Sequence, residues 1–314
     1  MNLLQSKAAK QAWKRKPRTS KTVFPFDKYP AIVEFINSSI PNRTRVALLG
    51  GGRGYVVDLL DKKRKSFANL ELSQIQDPHP LVQTIEADIE ESFTREQIGL
   101  DGKSKLYLAS FFSLEYVDMP KVIANGARVL SPNEQWIVVC HHADSHILES
   151  FRQVEPLLEV LGLLEPMAET DQINEWKKIC VKAEQRFREL FPGCFPDWLH
   201  FFETDPAEVR RFMELPLRSV LYEERIDCVF RLFGHLNGVI LGDQDKEGTQ
   251  IRVLELTERF TDDNAIAERL LANNFRSPQD LEELFKERFV MIKSQNFINN
   301  ESKGFVIGTV FRKT

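Results

Sequence analysis

The chain has 314 residues, 42% of them hydrophobic and 28% charged, with 42 basic against 46 acidic side chains and a formal net charge of −4. This is the composition of a globular protein large enough for one big domain, or for a domain carrying an insertion. It gives no global reason to expect nucleic acid, and the four cysteines (Cys140, Cys180, Cys194 and Cys228) contain no C-x-x-C pair, which argues against a disulfide scaffold or zinc ribbon and suits a reducing compartment.

At the N-terminus Leu3-Leu4 gives way at once to lysines, which is not a signal-peptide core. No apolar run approaches the roughly 20 residues that span a bilayer. A cytoplasmic protein without membrane association is expected. Residues 7–21 carry Lys7, Lys10, Lys14, Arg15, Lys16, Arg18 and Lys21 with no acid, so residues 1–23 read as a basic arm. Such an arm is either a solvated tail or a contact for a phosphate-bearing partner, such as RNA or a carrier-bound substrate. Trp13 within it points to one packed face. Residues 24–40 hold Tyr29, Ile32, Val33, Phe35 and Ile36 at helical spacing, and Pro30 suits the first turn.

Val46 to Leu49 then form a short apolar run that ends in Gly50-Gly51-Gly52-Arg53-Gly54. A new apolar pattern at Tyr55, Val56, Leu59 and Leu60 predicts a helix to about Lys62. Strand, glycine loop and helix form the geometry that lets a cofactor lie against bare backbone. The pattern is G-x-G-x-G. It is not the G-x-G-x-x-G dinucleotide fingerprint, because Tyr55 stands where Gly or Ala would be needed.

Ser66 to Leu72 predicts a second strand. It carries Glu71, 21 residues past Gly50, where a carboxylate accepts hydrogen bonds from a ribose diol. Leu81 to Ile85 predicts a third strand followed by Asp88 and Ile89, and Lys105 to Leu114 a fourth. Pro120 to Leu130 reads as a helix. Gln135 to Cys140 predicts a fifth strand that empties into His141, His142, Asp144 and His146. Alternation of this kind predicts a parallel sheet covered on both faces.

Residues 145–274 form an insertion of domain size, with helical spacing through its first half and an ambiguous stretch from Arg225 to Leu241. Ile226, Cys228 and Phe230 alternate there as in a strand, although a helix also fits. Gly242 to Gly248 reads as a charged loop. Ser277 and Asp280 are placed as a capping box for a helix. Phe289 to Phe297 and Gly304 to Phe311 then predict an antiparallel terminal hairpin around Asn299 to Lys303.

In order and spacing these features resemble the class I S-adenosylmethionine-dependent methyltransferases. The residues carrying the resemblance are VALLGGGRG, Glu71, Asp88, the stretch SFFSLEYVDMPKVIANGARVLSPNE and the terminal hairpin. It covers residues 24–143 and 275–314. The resemblance implies an α/β, Rossmann-like, seven-stranded and mostly parallel sheet with an antiparallel C-terminal hairpin. A largely helical insertion follows strand five. The implied domains are 24–144 with 275–314 for S-adenosylmethionine, and 145–274 as a cap over a small-molecule acceptor, free or carrier-tethered.

The resemblance further implies S-adenosylmethionine against Gly50, Gly51, Gly52 and Gly54, and its ribose on Glu71 beside Leu72. The adenine is implied near Asp88 and Ile89, and the sulfonium methyl group near Phe111 and Phe112. Tyr116, Asp144 and His146 are the implied acceptor contacts. One departure stands out: where the family has Asp or Glu two residues before the first glycine, this chain has Leu48. A catalytically inactive, binding-only relative is therefore one alternative reading. An RNA methyltransferase using the basic arm is another.

Methyl transfer needs alignment and sometimes removal of a proton. His141 or His142, past the fifth strand, is the expected base, although each also suits a capping role. Three histidines and an aspartate within six residues are metal-ligand types. No further ligand is evident unless Asp118, His200 or His235 folds in, and no metal is expected. No N/D-P-P-Y/F motif follows the fourth strand, which argues against base amines as the acceptor.

Overall fold

Alternate residues of β1 (Thr44–Leu49) enter different cores: Ala47 and Leu49 one, Val46 and Leu48 the other. A strand buried on both faces reads as a continuous apolar run, and this one lies between two parallel neighbours, β2 (Ser66–Glu71) and β4 (Lys105–Phe111). With β3 (Val82–Glu86), β5 (Gln135–His141), β6 (Phe289–Ile298) and β7 (Gly304–Lys313) they make one seven-stranded sheet of order β3-β2-β1-β4-β5-β7-β6. The first five strands are parallel, and β7 runs antiparallel to both β5 and β6. The order reverses between β1 and β4, which places a ligand crevice at the carboxyl ends of these strands.

The computed structural model describes residues 10–12, 29–41, 44–60, 66–72, 77–99, 105–194, 196–214, 224–242, 244–298 and 304–314. Most of the basic arm, including Trp13, lies outside them, as does the turn expected over residues 299–303. Among the described residues no helix is long and apolar enough to cross a membrane.

Helices cover both faces of the sheet. On one face α1 (Pro30–Ser39) buries Ile32, Phe35 and Ile36 against Phe297 and Val310. On the other α2 (Met119–Val129) buries Val122, Ile123 and Ala127 around Trp136. Asp118 caps α2 by accepting from the Lys121 N–H. Gly126 lets α2 close onto the indole, since a Cβ there would lie 2.3 Å from the Trp136 ring. Alanine ordinarily favours a helix interior by about 1 kcal/mol. Even so, Gly126→Ala is expected to lower stability by about 2 kcal/mol through overpacking. A urea midpoint equal to or above that of the parent chain would show that the ring moves aside freely.

The predicted capping box forms at Ser277 and Asp280, opening a helix over Pro278–Phe285. Two local expectations are corrected. Tyr55–Leu59 is a short 3-10 turn rather than a helix to Lys62. Leu60 is already extended, and its N–H closes onto the Val57 carbonyl. The Arg225 to Leu241 stretch is a helix, α7 (Glu224–Ile240). Its buried positions Ile226, Val229, Phe230, Phe233 and Leu236 follow the helical period, and the alternation over five residues was only part of it.

The chain divides into two compact units, residues 1–149 with 268–314, and residues 150–267. The second contains the end of α3 (His146–Arg152), α4 (Val154–Gly162), α5 (Ile173–Leu190), α6 (Pro206–Glu214), α7 and most of α8 (Lys246–Ala272). Its own core centres on Trp176, Phe187, Phe201, Phe233 and Phe260. Phe187 and Phe233 meet edge to face at 5.7 Å, and Phe201 and Phe230 at 5.1 Å. The last turn of α8 belongs with the sheet, where Arg269 and Asn273 make their hydrogen bonds.

Candidate functional site

The loop after β1 is left-handed at every second residue, with φ of 67° at Gly50, 60° at Gly52 and 79° at Gly54. L side chains avoid that region, so glycine is required. The three face different surroundings. A Cβ on Gly50 would strike Ser113 at 2.9 Å, and one on Gly54 would press on Val82 at 3.2 Å. A Cβ on Gly52 would meet no atom within 4 Å. Gly50 and Gly54 therefore serve packing, and Gly52 presents bare backbone to open space. Arg53 turns away, ion-paired with Asp77 at 3.1 Å and stacked over Tyr55.

The loop is braced from β2. Asn69 is fully buried; its Oδ1 accepts from the Gly51 N–H at 3.0 Å and its Nδ2 donates to the Gly52 carbonyl at 2.7 Å. Glu71 is also buried, and its Oε1 accepts from the Gly52 N–H. In the parallel register Asn69 lies directly opposite Leu48. The amide that orders the loop therefore stands on β2, the strand facing β1. Leu48 is free to pack in the core. Sequence reasoning passed over Asn69, although a lone amide inside an apolar strand signals a buried partner.

At the end of β4, Phe112 adopts φ 54°, a sparsely populated conformation for a bulky residue. It is held by its N–H donating to the Val139 carbonyl at 2.7 Å, and its ring stacks on His141 at 4.4 Å. Ser113 next to it donates to the Leu49 carbonyl at 2.6 Å, tying the ends of β1 and β4 together. Phe111 is buried in the core, and Tyr116 is half-buried.

Glu115, also passed over in the sequence, is 1% exposed, and its Oε1 accepts from the His141 N–H at 2.8 Å. Burial pushes its carboxyl up to about 7, although hydrogen bonds from its own and the His141 backbone pull it down.

The two expected bases fare differently from expectation. His142 has both ring nitrogens engaged by main chain: Nε2 donates to the Arg276 carbonyl at 2.7 Å, and Nδ1 accepts from the Asp144 N–H at 3.1 Å. The ring packs on Gly304, where a Cβ would lie 2.3 Å away. This histidine clamps the end of β5 and has no lone pair to offer as a base. His141 is buried, and burial together with the nearby charge of His146 lowers its imidazole to about 3. It stays neutral near pH 7 but is too weakly basic to accept a proton well. His146 and Asp144 are exposed, and the His146 ring stacks on Phe305 at 5.4 Å.

The β3 side is held by charge. Asp88 accepts from the Glu90 N–H through Oδ1 at 3.0 Å, and Lys10 lies 2.5 Å from its Oδ2. The Ile89 side chain is in the core beneath, so only its main chain reaches the crevice side. Leu72, one residue past β2, is half-buried. Among the described residues no three His, Cys, Asp or Glu side chains converge as metal ligands.

No protein-family model matches the chain, and a search of curated proteins finds no match. Solved structures are similar in fold. An S-adenosylmethionine-dependent methyltransferase from Anabaena variabilis is 8% identical, with a TM-score of 0.45 over 100% of this chain and 96% of its own. Geranyl diphosphate C-methyltransferase from Streptomyces coelicolor, solved with Mg2+, geranyl diphosphate and S-adenosyl-L-homocysteine, is 9% identical with a TM-score of 0.42 over 100% and 99%. The N-methyltransferase NodS from Bradyrhizobium japonicum, solved with S-adenosyl-L-homocysteine, is 8% identical with a TM-score of 0.41 over 98% of each chain. The chain's own sheet order, with its antiparallel seventh strand and its glycine loop after β1, is that of the class I methyltransferase fold.

Proposed function

We propose that the chain binds S-adenosylmethionine across the carboxyl ends of β1 to β3 and passes its methyl group to a small-molecule acceptor. The observation that carries this reading is the open, left-handed backbone at Gly52, braced from beneath by Asn69 and Glu71. Bare backbone at the switch point of a parallel sheet is suited to a nucleoside held in close contact.

The cofactor lies against the Gly52 backbone, in a loop whose shape Gly50, Gly51 and Gly54 set, with Glu71 and Leu72 at the ribose and Asp88 and the Ile89 main chain at the adenine. Phe111 and Phe112 stand at the methyl-donor end. When bound, the sulfonium supplies an already activated methyl group. Residues around it need to be aromatic or uncharged. Phe112 stacked on a neutral His141 meets that need, because a cation is attracted to a ring face and would be repelled by an imidazolium. Catalysis then rests on alignment. His146, exposed, takes the proton-accepting role first given to His141 and His142, with Tyr116 and Asp144 as further acceptor contacts. Residues 150–267 serve as the acceptor domain, and the acceptor is free or carrier-tethered.

A second reading, binding without turnover, draws support from the engaged nitrogens of His142 and the weak basicity of His141. Isothermal titration with S-adenosylhomocysteine tests the first step and is expected to give one site per chain with Kd between roughly 1 and 100 μM. No heat at roughly 1 mM ligand, the top of the usual KM range, would overturn cofactor binding. Transfer of a labelled methyl group to a small-molecule panel separates the two readings, because a binding-only protein gives heat and no product.

A further inference from the structure

Lys10 comes from the stretch read in the sequence as a basic arm. Its ammonium lies between two carboxylates, 2.5 Å from Asp88 Oδ2 and 2.8 Å from Glu90 Oε2. Two residues on, Ala12 is 1% exposed, so this short segment is packed down. Glu90 is itself buried, and its Oε1 accepts from Arg269 Nη1 at 2.7 Å and from the Asp118 N–H at 2.9 Å. Two acids this close repel unless each is compensated. Arg269 answers Glu90, and it also donates to the Tyr116 carbonyl at 2.9 Å. Lys10 bridges Glu90 to Asp88. Burial alone would lower the Lys10 ammonium, but its bonds to Asp88 and Glu90 hold it above the ordinary lysine value.

We propose that Lys10 is a positioning residue for the adenine end of the cofactor site, holding the Asp88 carboxylate in place. Residues 10–12, the described part of that stretch, then belong to the cofactor site. This rests on the cofactor reading above.

The test compares S-adenosylhomocysteine with S-inosylhomocysteine, in which an oxygen replaces the adenine amino group. A fixed acceptor carboxylate discriminates strongly between the two, because the analogue leaves it facing another acceptor. The parent chain is expected to bind the adenine ligand at least ~10-fold more tightly. Lys10→Ala is expected to weaken that ligand about tenfold while barely changing the analogue, so the preference collapses toward one, and Lys10→Arg is expected to restore it. A purely structural lysine would weaken both ligands alike and lower Tm. Lys10→Ala with an unchanged preference therefore overturns the inference. If the parent chain binds neither ligand, the cofactor reading itself fails and takes this inference with it. If it binds both equally, only the placement of Asp88 and Lys10 fails.

Discussion

Gly52→Val is expected to cost this protein at least ~100-fold in affinity for S-adenosylhomocysteine, because close backbone approach admits no side chain. Gly52 sits at φ 60° with no atom within 4 Å of where a Cβ would be. The substitution therefore carries backbone strain of about 1–2 kcal/mol and causes no clash inside the protein. Its side chain projects only into the space assigned to the cofactor. The Asn69 amide bonds the loop only at main-chain atoms, the Gly51 N–H and the Gly52 carbonyl, so these bonds are expected to survive the change. Gly242 offers a matched control: φ is 80° and its surroundings are equally open, but it lies in the other unit. Gly242→Val should lose a similar amount of stability and keep full affinity. If Gly52→Val bound S-adenosylhomocysteine within about threefold of the parent by titration calorimetry, the cofactor could not lie on this face.

The second large effect is on stability against pH. In the folded chain Glu115 titrates at about 7, and an unfolded glutamate at about 4.3. Between those values the folded chain keeps a proton that the unfolded chain releases. The contribution of Glu115 to stability therefore falls as pH rises through that window and is lost above pH 7. His141 acts in the opposite sense. It titrates at about 3 when folded and at about 6.5 when unfolded. Below pH 6.5 the unfolded chain gains a proton that the folded chain refuses, so stability falls as pH drops.

The two slopes nearly cancel between about pH 4.5 and 6.5. Glu115→Gln removes one of them and keeps an oxygen to accept the His141 N–H. Relative to the parent, the variant is expected to be matched near pH 4.5 and more stable at pH 8 by on the order of 3 kcal/mol. Urea unfolding at both values measures this. A difference independent of pH would show that Glu115 does not change its charge in that range. Burying an ionised carboxylate at the junction of β4 and β5 lowers stability, which is a common property of functional sites.

The sheet was legible because its strands are covered on both faces. Val46 to Leu49, the Lys105 stretch and the Gln135 stretch are short apolar runs bounded by glycine or polar residues, and each became a strand within a few residues of its expected ends. Helix α7 was ambiguous because three alternating residues fit two periods, and only its length and the burial of Val229 and Phe233 separate them. The site was legible in its glycines and much less so in its polar groups. His142 stood out by residue type and position, yet both its nitrogens are spent on main chain that a distant segment, Arg276, helps to supply.

By itself the sequence determined what neighbouring residues decide among themselves: the left-handed glycines, the capping box at Ser277, the apolar periods and hence the order of strands and helices. Tertiary structure alone decided which polar groups meet. Asn69 braces Gly51 and Gly52 only because parallel pairing sets β2 beside the end of β1. Lys10 reaches Asp88 across 78 positions of chain, and Glu115 becomes a group titrating near neutrality only once β5 closes over it. Backbone preference is a property of a few adjacent residues. The partner and the charge of a buried polar group depend on whatever else folding brings beside it.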